Sequence, residues 1–543
     1  MNAKTLIEII ENISNLQEVG SVTETVQKEL QNTQLSLVER AIVDAYLLQQ
    51  DGKIADAIEK WRSIANIAEG IDNELAAHAW FSIGGLLANN NPEDALLAYD
   101  KAISLKPDNA IVYNDRGAAK SLLEQYESAI SDYDEAIRLN LEYSDAYYNR
   151  GWARSELHQY EFAIRDYDKV IRLNPDYTDA YYNRGQAKSR LEHHESAITD
   201  YGEAIRLKQD YAEAYNGRGI AKSALGEHEA AIADFDEGIK LKPDDAYTYF
   251  RRGSVKIRLE QYEEAIVDFD EGIALVSNNA QAYFDRGRAK IGLEHYAEAI
   301  ADFDKSIQLS PDHAGTYFLR GYAKEELEHY EDAIADFDKS IQLKPDHANT
   351  YFRRGHVKGK LEHYEDAIAD FDESIKLEPD YVQAYMLRGY AKYRLKQYES
   401  ALADFEETVR LEPNNAQAYN NRGHLKNKLG QYESALVDCN ESIRLNLDDA
   451  WPYTNRGFAK IKLGQPESAL NDCNKAIQRN PDLAEAYHTR GEAYRFLGKV
   501  EEAKADYQKA LELAEEADNQ ELKTEIEQSV QELDQYLRQI IRV

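Results

Sequence analysis

Cysteine is almost absent: the 543 residues hold two, Cys439 and Cys473. That excludes a disulfide framework. Long apolar runs are missing as well. No stretch of about 18 apolar residues occurs, so no membrane-spanning helix is expected. Residues 1–13 carry acids inside their apolar stretch and lack the apolar core and small-residue cleavage site of a secretory signal. A reducing cytoplasm is the expected compartment. Positive charge is in deficit, with 64 Lys and Arg against 99 Asp and Glu and a formal net charge of −35. A surface this acidic repels nucleic acid and anionic lipid and favours basic partners, so neither nucleic acid nor membrane is an expected partner. Proline is scarce, 11 in all, and falls mostly at one recurring place.

Catalytic patterns are missing too. No phosphate-binding glycine loop, G-x-S-x-G elbow or H-E-x-x-H helix occurs. The histidines gather in short polar stretches, as at His193 and His194. They read as turn residues rather than metal ligands. No catalytic residue, cofactor or metal is expected.

What is present is a period. Gly117 recurs every 34 residues through Gly491, twelve times without insertion. Such self-similarity marks a stacked array, in which each unit buries its core against its neighbours. With that glycine at position 8, position 4 is tyrosine in all twelve units, from Tyr113 to Tyr487. Position 14 is leucine and position 20 alanine throughout. Position 24 is Tyr, Phe or Cys, and position 32 is proline in seven units, Pro345 among them. Positions 4, 8, 11 and 14 share one helical face, and positions 17, 20, 21, 24, 27 and 28 share another. Proline at position 32 stops the second helix. Cys439 and Cys473 both stand at position 24 and read as core hydrophobes.

The pattern resembles the tetratricopeptide repeat (TPR), as Tyr317, Gly321, Ala333, Phe337 and Pro345 of one unit illustrate. The resemblance implies an all-α fold, a right-handed α-solenoid of about fourteen TPR-like hairpins with a C-terminal capping helix. The expected organisation is a helical segment at 1–34, broken near Gly20-Ser21 and serving as cap or docking module. Two degenerate repeats follow at 35–109, then twelve regular units at 110–516 and a capping helix at 517–543.

The chain departs from the family at position 7, which is arginine in all twelve units. Position 11 is basic in eleven, and position 23 is aspartate in all. Either an internal Arg–Asp–Lys network or a basic ladder for an anionic ligand follows. The network is the favoured reading, because bases and acid recur together, as mutual pairing requires.

The resemblance also implies that positions 2, 5, 6, 9, 12 and 13 of each first helix line a concave groove. Position 5 carries Phe250, Phe284, Phe318 and Phe352 in four successive units. Arg251, Arg288, Arg353 and Arg394 share that zone with Tyr322, His356 and Tyr390. At position 6, Asn149, Asn183, Asn421 and Asn455 are similar to the asparagine ladder of the family's sugar-transferring member, broken here by Gly217 and others. The phenylalanine stripe is either groove or inter-repeat packing. The expected function is a protein- or peptide-binding scaffold or adaptor, not an enzyme. Its ligand is a protein or extended peptide with apolar anchors and acidic groups, bound across Tyr247 to Arg394. The alternative is a regulatory or inhibitory subunit of a separately encoded effector enzyme.

Overall fold

The computed structural model describes residues 5–7 and 35–542. The expectation for 1–34 therefore lies outside the described residues, except that Leu6 and Ile7 are buried in an apolar cluster with Trp61, Trp80 and Tyr99. Among the described residues helix follows helix: fourteen hairpins between Leu37 and Glu516, then one long helix, Gln520–Arg542. No strand occurs among them.

One unit shows why the chain turns where it does. Its first helix, Ala314–Glu326, ends where Glu328 takes a left-handed conformation at φ 60°. The Glu328 N–H donates to the Glu325 carbonyl and the His329 N–H to the Lys324 carbonyl, both at 2.9 Å. This is a Schellman closure, which satisfies carbonyls that the helix end would leave unpaired. The second helix, Tyr330–Leu343, follows at once and ends at the extended Lys344. Pro345 comes next, and a residue before proline is disfavoured in the helical region.

The two helices approach closely because position 8 has no side chain. A Cβ on Gly287 would sit 2.6 Å from the Phe303 ring, and one on Gly321 2.9 Å from Phe337. The ring at position 24 thus occupies the space that the glycine leaves open. Phe303, Phe337 and Phe371 are all buried, each beside a fully buried alanine at position 20. Close packing of this kind supplies most of the favourable term in folding.

The residues group into two compact bodies, Met1–Ser277 and Asn278–Val543. The N-terminal body holds the two degenerate hairpins and five regular units. The C-terminal body holds seven units and the long last helix. Within each, several first-helix residues at positions 5 and 12, Asn216, Phe250, Glu325 and Asn427 among them, are buried.

Candidate binding surfaces on the first helices

The ladder at positions 7, 11 and 23 is internal. Arg150 donates from Nε and Nη2 to both oxygens of Asp166, at 3.0 and 2.6 Å, and Arg154 adds a third bond at 2.7 Å. Arg252 and Lys256 hold Asp268 in the same way, as Arg388 and Lys392 hold Asp404. These aspartates are buried, and in every unit the guanidinium also lies over its own Tyr at position 4, as Arg150 lies 5.3 Å from the Tyr147 ring. The remaining Nη1 reaches back to position 25 of the preceding unit: Arg150 to Asp134, Arg252 to Asp236, Arg388 to Asp372, each at 2.5 Å. That second arm, which ties one hairpin to the next, was not read from the sequence. Its signal was there in the acids or amides at position 25, from Asp134 to Asn474, with Gly202 the exception.

In the N-terminal body the first-helix face opens into a trough of about 710 Å³. Trp152 and Tyr247 stand at its sides, with Gln186, Arg190 and Arg251 along it. Gly217 lies in its lining beside the buried Tyr201 ring. A Cβ there would meet the Tyr201 ring at 2.8 Å. Asn216 donates to Thr248 Oγ1 at 2.6 Å, while its buried Oδ1 has no hydrogen-bond partner. Asn183 donates to the Tyr148 hydroxyl at 2.8 Å, and Asn149 to Asn114 Oδ1 at 3.0 Å. Both amides are thus engaged within the protein. Phe250 is buried, stacked 6.4 Å from Phe269, with its edge in the space above Gly272.

In the C-terminal body the other three phenylalanines are half-buried. Phe284 meets Phe303 at 6.1 Å and His313 edge-on at 4.8 Å. Phe318 repeats this with Phe337 and His347, and Phe352 with Phe371 and Tyr381. Each ring is therefore packed against its own second helix and the start of the next unit. More open groups stand around this row. Arg353 lies 4.7 Å over the Tyr322 ring and reaches Glu325 at 3.4 Å, where His356 Nδ1 also arrives at 2.8 Å. The other oxygen of Glu325 is buried without a partner. Arg394 sits over Tyr364 at 4.9 Å, with Tyr390 and Glu362 within 3.2 Å, at the edge of a cavity of about 340 Å³. Arg288 pairs with Asp285 at 3.0 Å, over Phe284. Asn421 accepts from Gln417 at 2.8 Å. Asn455 is buried; its Nδ2 donates to Asn420 Oδ1, its backbone carbonyl accepts from Asn427 Nδ2, and its Oδ1 meets His424 Nδ1 at 3.1 Å.

Comparison with known families accounts for this periodicity. Models described as "Tetratricopeptide repeat" match residues 144–177, 212–245 and 416–449, 250–313, 284–348 and 352–416, 448–517 and 110–143. One described as "TPR repeat" matches 190–226. The chain belongs to the tetratricopeptide repeat family. Among solved structures, it is 24% identical to YrrB, described as a TPR protein with an unusual peptide-binding site. That match covers 36% of this chain and 97% of the other, at a TM-score of 0.32. A TPR protein from Parabacteroides merdae is 20% identical over 46% of this chain and 98% of its own, at 0.36. Yeast Tom70 is 18% identical over 79% and 96%, at 0.30. No curated protein matches the chain significantly.

The remaining reactive groups of this TPR array are enclosed. Cys439 and Cys473 are fully buried free thiols, and burial pushes both up to about 12. Each lies against its position-8 glycine, Sγ standing about 3 Å from where a Cβ would be. Among the described residues no three His, Cys, Asp or Glu side chains are placed to hold a metal ion, and no helix is long and apolar enough to cross a membrane.

Proposed function

We propose that the chain is a non-catalytic scaffold or adaptor of the cytoplasm that holds a protein or extended peptide on the first-helix faces of its repeats. The observation that carries this reading is the trough of about 710 Å³ between Trp152 and Arg251. It is as large as the pockets that enclose ligands, and it combines open aromatic rings with exposed arginines. Large aromatics beside arginines are what binding hot spots are enriched in. Trp152 and Tyr247 offer rings to apolar anchors, and Arg190 and Arg251 offer forked donors to carboxylates. The Tyr322–Arg353–His356 and Tyr390–Arg394 groups of the C-terminal body supply a second surface of the same chemistry. There Phe284, Phe318 and Phe352 form the floor and the arginines the contacts.

The test is a titration with a partner recovered by affinity purification of the full chain. Trp152→Ala with Arg251→Ala should weaken binding by about 2–4 kcal/mol while the thermal melt stays unchanged. Tyr247→Ala, which removes an exposed ring from the lining of the trough, should do the same. Equal affinities of wild type and both folded variants would overturn the trough as the site.

A further inference from the structure

Position 12 carries a side chain in eleven of the twelve regular units. The exception is Gly359, between Glu325 of the preceding unit and Tyr393 of the following one. A Cβ on Gly359 would meet nothing within 4 Å, whereas one on any position-8 glycine would strike the side chain at position 24. No packing contact therefore requires this glycine. It lines a cup of about 340 Å³ within the C-terminal body. The lining comes from residues between His356 and Arg394 alone, on two successive first helices and the second helix between them. A space of that extent suits a compact ligand. An extended chain would run on over further units.

The walls of the cup are of two kinds. Leu387 and the buried Phe371 and Ala391 give it an apolar side, with the rings of Tyr364 and Tyr390. Three basic side chains make up the rest. His356 Nδ1 lies 2.8 Å from the buried Glu325 carboxylate. An ionised carboxylate only accepts, so Nδ1 donates and Nε2 is the nitrogen left for a ligand. Lys360 is exposed and makes no ion pair among the described residues. Arg394 lies over Tyr364 at 4.9 Å and Tyr390 at 5.9 Å, and donates to the Tyr390 hydroxyl and to Glu362, each at 3.2 Å. Glu362 is the one acid in the lining. Its side chain is 70% exposed, so its hold on the guanidinium is weak.

The sequence around the cup reverses the charge of the chain. Position 13 is basic in four successive units, at Lys360, Arg394, Lys428 and Lys462, although the net charge is −35. Lys428 already meets an anionic oxygen, that of Glu525 at 3.3 Å. Lys360 and Arg394 present the same position to the cup.

We propose that the cup between His356 and Arg394 binds a small organic phosphate, a single flat ring bearing one phosphate group. Three bases against one acid suit a dianion. The phosphate oxygens meet the two-pronged Arg394, Lys360 and His356 Nε2, and Arg394 exchanges Glu362 for them. The ring lies on Tyr390 against Leu387, in the space that a side chain at position 359 would take. At a water's share of about 30 Å³, the cup holds roughly eleven atoms other than hydrogen, which is one ring with one phosphate. The site shares Arg394 and Tyr390 with the second surface proposed above, but it needs no protein partner and no part of the trough.

The probe is phenyl phosphate, with inorganic phosphate and phenol as its two halves, each titrated into the full chain by calorimetry. Phenyl phosphate should bind at least about tenfold more tightly than either half, because ring and anion are held together. Absence of binding, or equal affinities for phenyl phosphate and inorganic phosphate, would overturn the proposal. Gly359→Leu fills the cup from a position where a Cβ meets nothing, and should weaken phenyl phosphate at least about tenfold with the melt unchanged. Arg394→Gln should do the same, and Lys360→Gln should cost less, both losses shrinking in high salt. Unchanged affinity in folded Gly359→Leu and Arg394→Gln would also overturn it. A phosphotyrosyl heptapeptide tells whether the ring arrives on a chain. It should bind no more tightly than phenyl phosphate, and a gain above about tenfold would assign the cup to a protein partner instead. One measurement needs no variant. Saturating phenyl phosphate should slow amide exchange across 359–364 and leave 152–251 unchanged. Protection confined to 152–251 would place the ligand in the trough and refute the cup.

Discussion

The same repeat builds two different faces. Between Trp152 and Arg251 the first helices leave an open trough. Between Tyr393 and Arg495 the corresponding positions meet a helix of the chain itself. Beneath both, the framework is the same: arginine over tyrosine, glycine beneath the side chain at position 24 and aspartate gripped from two sides, except in the last unit, where Tyr494 replaces the second base. The difference teaches that this array separates its two tasks by position. Positions 4, 7, 8, 11, 20, 23 and 24 hold the stack together and scarcely vary. Positions 2, 5, 6, 9, 12 and 13 vary from unit to unit.

The sharpest way to break that comparison is to show that the frameworks differ. Asp166→Ala in the N-terminal body and Asp302→Ala in the C-terminal body each leave two bases without their buried acid: Arg150 with Arg154, and Arg286 with Lys290. Each should cost about 3–5 kcal/mol of stability, because an uncompensated charge stays in a poorly solvated place. Urea denaturation followed by tyrosine fluorescence reads the loss. Asp338→Ala removes only the exposed second arm to Arg354 and should cost at most about 1 kcal/mol. Unequal losses for Asp166 and Asp302 would mean that the frameworks are not equivalent.

A smaller effect comes from buried imidazoles. Burial holds His78 of the N-terminal body down at about 4, with Lys106 adding to it, and lowers His488 of the C-terminal body as well. Both are therefore neutral in the fold at pH 7. An imidazole whose folded value lies below its unfolded value near 6.5 contributes fully above pH 6.5. That contribution is lost as pH falls through the folded value. Melting temperatures should drop by several degrees between pH 6.5 and 4, and His78→Gln, which cannot protonate, should show a shallower drop. His488→Gln should flatten exchange of the last helix with pH, since that imidazole faces Ser529. An unchanged pH profile in both variants would show that these histidines are not buried neutral groups.

The scaffold was largely legible in sequence. A 34-residue period, a small residue at position 8 and proline at position 32 dictate hairpins, and Arg, Lys and Asp recurring together dictate pairing. The faces were legible only in part. Position 5 could be assigned to four phenylalanines. Whether those rings face a ligand depends on where the start of the next unit lies, and His313, His347 and Tyr381 turn out to pack on them. Gly217 appeared as a gap in an asparagine ladder, whereas the space it leaves is taken by the edge of the buried Tyr201 ring. The path of the last helix was out of reach, because a contact between Lys428 and Glu525 is encoded by no local pattern. An amphipathic stripe predicts that a helix is covered, not which units it lies upon.

The smallest effect tests whether the covered face really bears on its cover. Position 15 is left-handed in every unit. It is glycine at Gly226, Gly430, Gly464 and Gly498, but Glu192 and Lys396 hold φ 60° there with side chains. A side chain in that conformation costs about 1 kcal/mol or more, which glycine relieves, while glycine's freedom in the unfolded chain takes back about 0.4–1 kcal/mol. Glu192→Gly in the N-terminal body should therefore stabilise by roughly 0.5 kcal/mol. Lys396→Gly relieves the same strain, but it also removes the ammonium that reaches Glu521 of the last helix. That pair is long and exposed, so its loss should subtract only a few tenths. Lys396→Gly should thus gain slightly less than Glu192→Gly, and the gap should close in high salt, where the ion pair is screened. A gap that persists in high salt would mean that Lys396 holds the last helix by packing rather than by charge. A larger gain from Lys396→Gly than from Glu192→Gly would mean that Lys396 does not hold it at all.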